Sequence, residues 1–143
     1  MFNQNVDDRL SLWAAFRSRL ENSPTPFVDV WEFWKSAPFV PYNHKVDPYH
    51  QRGWPSPWEI IVENKYDDFT KALMIGYSLK LTKRFENDKI ELKTLVDREK
   101  SISYNVICIR QIAINYSDLG PVDWIKVPDY FSIENLVELS TTR

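Results

Sequence analysis

Cysteine is almost missing from this chain: Cys108 is the one copy in 143 residues. An intramolecular disulfide cannot form, which excludes a disulfide-stapled fold. Zinc sites of four cysteines, or of two cysteines and two histidines, are excluded by count. Glycine is scarce too, at Gly53, Gly76 and Gly120. A phosphate-cradling loop needs several glycines close together, so P-loop and dinucleotide fingerprints are absent. No apolar run approaches the roughly 20 residues that cross a bilayer. Candidates such as Ala72 to Tyr77 fall far short. The opening MFNQNVDDRL lacks a basic segment followed by an apolar stretch, so no secretory leader is expected. There is no basic excess either. Lys and Arg number 18 against 20 Asp and Glu, a formal charge of -2, unlike a dedicated nucleic-acid binder.

What is present is apolar and aromatic material, 43% and 15% of the residues. That is enough for a core in a chain of one-domain length. The pattern predicts a single α+β domain over residues 1–143. N-terminal helices are expected within residues 1–36. Asp7 and Asp8 favour a helix start, and Leu12, Phe16 and Leu20 recur at i, i+4 and i+8, with Leu10 and Trp13 widening the stripe, over Val6 to Leu20. Ser23-Pro24-Thr25-Pro26 breaks that helix. A short one follows from Val28 to Ser36, with Trp31 and Trp34 three apart on one face.

Residues 37–57 are the peculiar stretch. Pro38, Pro41, Pro48, Pro55 and Pro57 alternate with Phe39, Tyr42, Tyr49 and Trp54, with Trp58 just beyond. This much proline forbids a regular helix or central strand. This much aromatic surface is wrong for a solvated linker. The expectation is an ordered irregular segment, pinned by ring burial. Central helices are predicted over residues 57–85. Ser56-Pro57-Trp58-Glu59 makes a capping box, and Asp67 or Asp68 caps a mostly apolar helix reaching Phe85.

After Asn87 the apolar period becomes two, so residues 88–127 read as an antiparallel sheet of three or four strands. The alternation through Ile112, Ile114 and Tyr116 leaves the middle strand long, bent or divided. Val122 to Val127 reads as a last short strand. Residues 132–139 read as a terminal helix, and Ser140 to Arg143 as a frayed tail.

Candidate chemistry is thin. His44, Asp47 and His50 stand three apart in the proline-rich loop and are weak metal candidates. All sit on one loop without an evident fourth ligand, and turn capping with backbone hydrogen bonds is the better account of them. Cys108 lies among Val106, Ile107 and Ile109, which raises a thiol's pKa and makes it a small hydrophobe. Glu91-Leu92-Lys93 has the E-x-K form of metal-dependent nucleases, but no acidic strand precedes it. Glu59, Glu63, Asp67 and Asp68 could pair for acid–base work, yet helix starts account for them. Trp31, Trp34, Tyr49, Trp54 and Trp58 remain as interaction residues. For the tryptophans, a recognition surface and burial in the core stay equally open. Single-stranded nucleic acid would need more basic residues among the rings than Lys35, Lys45 and Arg52.

The stretch Trp54-Pro-Ser-Pro-Trp-Glu-Ile-Ile-Val-Glu-Asn-Lys-Tyr66, with Asp68-Phe69 and Tyr77-Ser-Leu-Lys-Leu-Thr82, resembles small uncharacterised proteins of T4-like phages of marine cyanobacteria. Asp47-Pro48 before it and Arg84-Phe85 after it agree. The resemblance covers about the middle third of the chain and implies no activity. The order of elements has a weaker resemblance to the transglutaminase-like cysteine fold. There a tryptophan-rich lead-in precedes a helix whose first turn carries the nucleophilic cysteine. This chain has Asp67 and Asp68 at that helix start and no histidine after His50, which implies a catalytically dead relative. The resulting expectation is a non-enzymatic phage structural or interaction protein without a cofactor. It would work through protein contacts, as a virion tail, neck or baseplate component. The rivals are a hydrolase or transferase on a cysteine-protease-like fold, and an inhibitor of a host factor. Its expected place is the virion or the cytoplasm of the infected cell. Its expected partner is a protein of the viral assembly or of the host, not a membrane or a nucleic acid.

Overall fold

Asn5 opens the first helix by accepting the Asp8 N–H at 2.9 Å, and Asp7 and Asp8 put negative charge at the positive end of the helix dipole. The computed structural model, which describes residues 1–140, places α1 at Val6–Leu20, where the spacing predicts it. Its buried line is Arg9, Trp13, Phe16 and Leu20, while Leu12 stands on the flank, exposed. Helix α2 runs Pro26–Trp34, two residues earlier than expected. Pro26 takes a first-turn position, where its missing N–H costs nothing. Phe33 of α2 stacks on Phe16 with ring centroids 3.9 Å apart.

Helix α3 is Pro57–Glu63, and its capping box is complete: Ser56 and Glu59 satisfy each other's backbone N–H. Arg9 crosses to its far end. The guanidinium donates to Ile61 O at 3.2 Å, Val62 O at 2.9 Å and Gln4 O at 2.6 Å, so a buried cation occupies the negative end of α3. Helix α4 is Asp68–Lys80, buried along ten of its residues. It stops short of the expected Phe85 because side chains take over the backbone groups there. Thr82 Oγ1 donates to Leu79 O and accepts from Phe85 N, and the Glu21 carboxylate accepts the Lys83 and Arg84 N–H groups, each at 2.9 Å. The chain is thereby turned toward the sheet.

Among the described residues five strands form one antiparallel sheet: β1 Glu91–Asp97, β2 Ile102–Ile109, β3 Ile112–Ser117, β4 Gly120–Asp123 and β5 Ser132–Glu138, in the order β4-β3-β2-β1-β5. The α+β class is therefore as expected, with α4 against the sheet. Ile107 and Leu139 approach α4 at Gly76, where an added Cβ would stand 2.8 and 2.4 Å from their side-chain tips. The divided reading of the middle strand is the one observed. Arg110 and Gln111 turn β2 into β3, both at positive φ (47° and 65°), without glycine or asparagine at the turn. The short strand expected to reach Val127 ends at Asp123, and a 3₁₀ turn follows over Trp124–Lys126.

The expected terminal helix over residues 132–139 is a strand. Ile133 and Leu136 lie three apart, a helical spacing. A bulge where β5 passes Thr94/Leu95 absorbs one residue, so Ile133 pairs with Leu95 and Leu136 with Lys93, on the same face of β1. A helix of eight residues is marginal alone, whereas β1 offers an open edge for a whole ladder. Leu92, Ile107, Ile114 and Val137 face the helices, and Leu95, Val106, Ala113 and Val127 form a smaller cluster on the other face. The segment between β4 and β5 crosses that second face, with Phe131 packed edge-on to Tyr104 and Tyr116.

Candidate interaction surface

The proline-rich segment is fixed at several points. Val40 donates to Tyr66 O at 3.0 Å and Tyr66 to Pro38 O at 3.1 Å, a short parallel bridge at Phe39. Asp67, the N-cap of α4, accepts the Thr70 N–H on one oxygen at 2.7 Å and the Asn43 N–H on the other at 2.9 Å. Asn43 also donates to Lys65 O. Trp54 is buried edge-on to Phe69, and its Nε1–H donates to Asp47 O. From the sheet, Asn135 donates to Pro48 O at 2.9 Å. The frame tied down this way leaves Phe39, Tyr42 and Tyr49 largely in solvent, at 71%, 68% and 73% exposure.

The five expected interaction residues separate. Trp34 and Trp54 are core, 0% and 4% exposed, which corrects their assignment to a recognition surface. Each has a structural reason. Trp34 Nε1–H and Trp13 Nε1–H both donate to Ser78 Oγ inside the helical core, and Trp54 anchors the loop. Trp31 is half-buried under the Lys35 ammonium, which lies 4.4 Å from its ring centroid. Tyr49 and Trp58 reach the surface, Trp58 with its ring edge-on to Trp13 at 6.1 Å.

The weak metal candidates are not brought together as a ligand set. His44, Asp47 and His50 border an open hollow of about 640 Å³ with Trp54 and Glu59. Among the described residues no three His, Cys, Asp or Glu side chains converge to hold a metal ion. Asp47 Oδ1 instead accepts the Tyr49 N–H in a local turn, and the His50 ring lies on Gly53, where a Cβ would stand 2.4 Å from it.

The carboxylates serve helix ends and salt bridges. Glu59 closes its capping box, and Lys45 bonds Glu63 at 2.9 Å and holds its carboxyl below the ordinary range. Glu91 pairs with Lys89 at 3.6 Å, and the Lys93 ammonium lies 4.2 Å over the Trp124 ring. Cys108 is half-buried on the sheet face away from the loop, and burial pushes its thiol up to about 11.

One arrangement had no counterpart in the expectations. Asn115, Asn105 and Thr94 form a polar row across β3, β2 and β1, under the start of α4. Thr94 Oγ1 donates to Asn105 Oδ1, and Asn105 Nδ2 donates to Asp68 Oδ2 at 2.9 Å. Asn115, at φ 77°, donates to Asn105 O at 2.8 Å. The usable signal was asparagine inside strand patterns, where it is depleted.

Comparison with protein-family models, with curated proteins and with solved structures finds no match to this chain. Among the described residues no helix is long and apolar enough to cross a membrane.

Proposed function

We propose that this chain is a non-enzymatic protein that works through protein–protein contacts made by its proline- and aromatic-rich segment. The observation that carries the reading is the pairing of a firmly tied frame with three aromatic side chains held out from it. A surface fixed in advance loses little conformational freedom on binding. Tyrosine gives large contact area at low rotamer cost. The hydrolase or transferase rival would need His44 or His50 to meet carboxylates and a nucleophile. Cys108 faces the far side of the sheet with its thiolate disfavoured. The resemblance to phage proteins adds the finer reading, a virion tail, neck or baseplate component, with an inhibitor of a host factor as the alternative. The test is quantitative affinity capture from source cells with the wild-type chain and with a Phe39→Ser, Tyr42→Ser, Tyr49→Ser variant. One or a few proteins should be held in fixed ratio by the wild type and lost by the variant. Equal capture by both, or capture of nothing, contradicts the proposal.

A further inference from the structure

A second surface lies on the helical side, between α1 and α3. The two helices run antiparallel there: Arg9 meets Ile61 and Val62, and Trp13, one turn later on α1, meets Trp58, one turn earlier on α3. Trp58 and Val62 are an i, i+4 pair, 45% and 46% exposed. On α1, Val6, Leu10 and Arg17 share the line that passes through Trp13 at i, i+4, i+7 and i+11, and Val6 is exposed as well. On the inner side α1 already packs on α4 through Trp13 and Ser78, and the outer side presents Trp58 and Val62 at the i, i+4 spacing to which a helix ridge is complementary.

Arg17 supplies the chemistry of the missing partner. Its guanidinium lies 4.2 Å from the Trp13 ring centroid. Its Nε–H is buried without an acceptor, and no carboxylate among the described residues pairs with it. Burial without a counter-ion also lowers its pKa. A half-buried cation with an orphaned donor is costly unless something answers it. Tryptophan and arginine are residue types that dominate interface energetics, and this surface offers Trp58 and Arg17. We infer that the α1/α3 seam docks an amphipathic helix of a protein partner, whose apolar ridge covers Trp58 and Val62 and whose single carboxylate pairs with Arg17. This rests on reading the chain as an interaction protein, but not on the proline-rich loop as the contact.

The test sorts a yeast-displayed library of helix-biased random peptides against the full chain. Peptides that bind should share one Asp or Glu with apolar residues three or four positions away. Changing that acid to its amide in a synthetic copy should weaken binding about tenfold, the effect of one charge-assisted hydrogen bond. Arg17→Gln should weaken it equally, and the two changes together should cost no more than either alone. Val62→Asp should abolish binding, with thermal melts confirming that both variants fold. No enrichment, enriched peptides without a carboxylate, or undiminished binding to Arg17→Gln would overturn the inference. Those outcomes leave the loop proposal standing, because the Phe39, Tyr42, Tyr49 variant tests it separately.

Discussion

Removing one oxygen atom from the helical core should cost more than any surface change in this protein. Ser78 Oγ accepts from Trp13 Nε1 at 2.9 Å and from Trp34 Nε1 at 3.0 Å, and donates to Met74 O at 2.7 Å. A hydroxyl has one donor and two acceptor sites, and all three are used. Both indoles and Ser78 are 0% exposed, so water cannot replace the hydroxyl. Ser78→Ala orphans two buried N–H groups at about 1–3 kcal/mol each. A void of one oxygen atom adds slightly to the loss, and only a gain in helix propensity of about 0.5 kcal/mol stands against it. The orphaned donors win, and a net loss near 3–4 kcal/mol is a large share of the ~5–15 kcal/mol holding a domain together. The midpoint of a thermal melt should fall by roughly 10–15 °C. A double-mutant cycle isolates the cause. In a Trp13→Phe background one donor is already gone, so Ser78→Ala should cost about half as much. A loss under about 1 kcal/mol in the wild-type background, or the same loss in both, would refute the reasoning.

Other perturbations separate structure from surface. Arg9→Met strips three carbonyls of their donor and should destabilise by about 3 kcal/mol in a denaturant titration. Arg9→Lys should recover part of that, because an ammonium cannot match the planar fork. Trp54→Ala empties a buried site at about 3–5 kcal/mol and removes the bond to Asp47 O, so limited proteolysis should then cut first within residues 37–56. Native Cys108 should react with iodoacetamide at half-maximal rate near pH 11, not near the ordinary thiol value of 9.0. The shift is upward, so the stability linked to it is present below pH 9 and lost as pH rises through about 11. A rate profile centred near 9 in the native protein contradicts the buried environment.

The helical half was legible because its signals are local. Asp7 with Asp8, and Ser56 with Pro57 and Glu59, mark helix starts within four residues of one another. The sheet was legible only where alternation is undisturbed. Arg110 and Gln111 carry none of the usual marks of a two-residue turn, since tertiary pairing holds them at positive φ. β5 was misread because its bulge is visible only opposite β1, and without the bulge its spacing is helical. Aromatic density in residues 37–57 pointed to an ordered segment, and the structure ties that segment down while leaving Phe39, Tyr42 and Tyr49 exposed. Which rings turn inward depends on partners further along the chain, Phe69 for Trp54 and Ser78 for Trp34, and no local pattern encodes those. Arg17 was invisible for the same reason: an arginine near a helix end looks solvated until its neighbours are known.

The most direct test of the loop as a contact surface is photo-crosslinking in the source cells. A photoreactive phenylalanine analogue would replace Tyr42 or Tyr49 and, as a control, Leu119, which is 93% exposed at the turn between β3 and β4. The expected result is one protein crosslinked from both loop positions and not from Leu119. Crosslinks as diffuse from Tyr42 and Tyr49 as from Leu119, or none from the loop at all, would contradict the account.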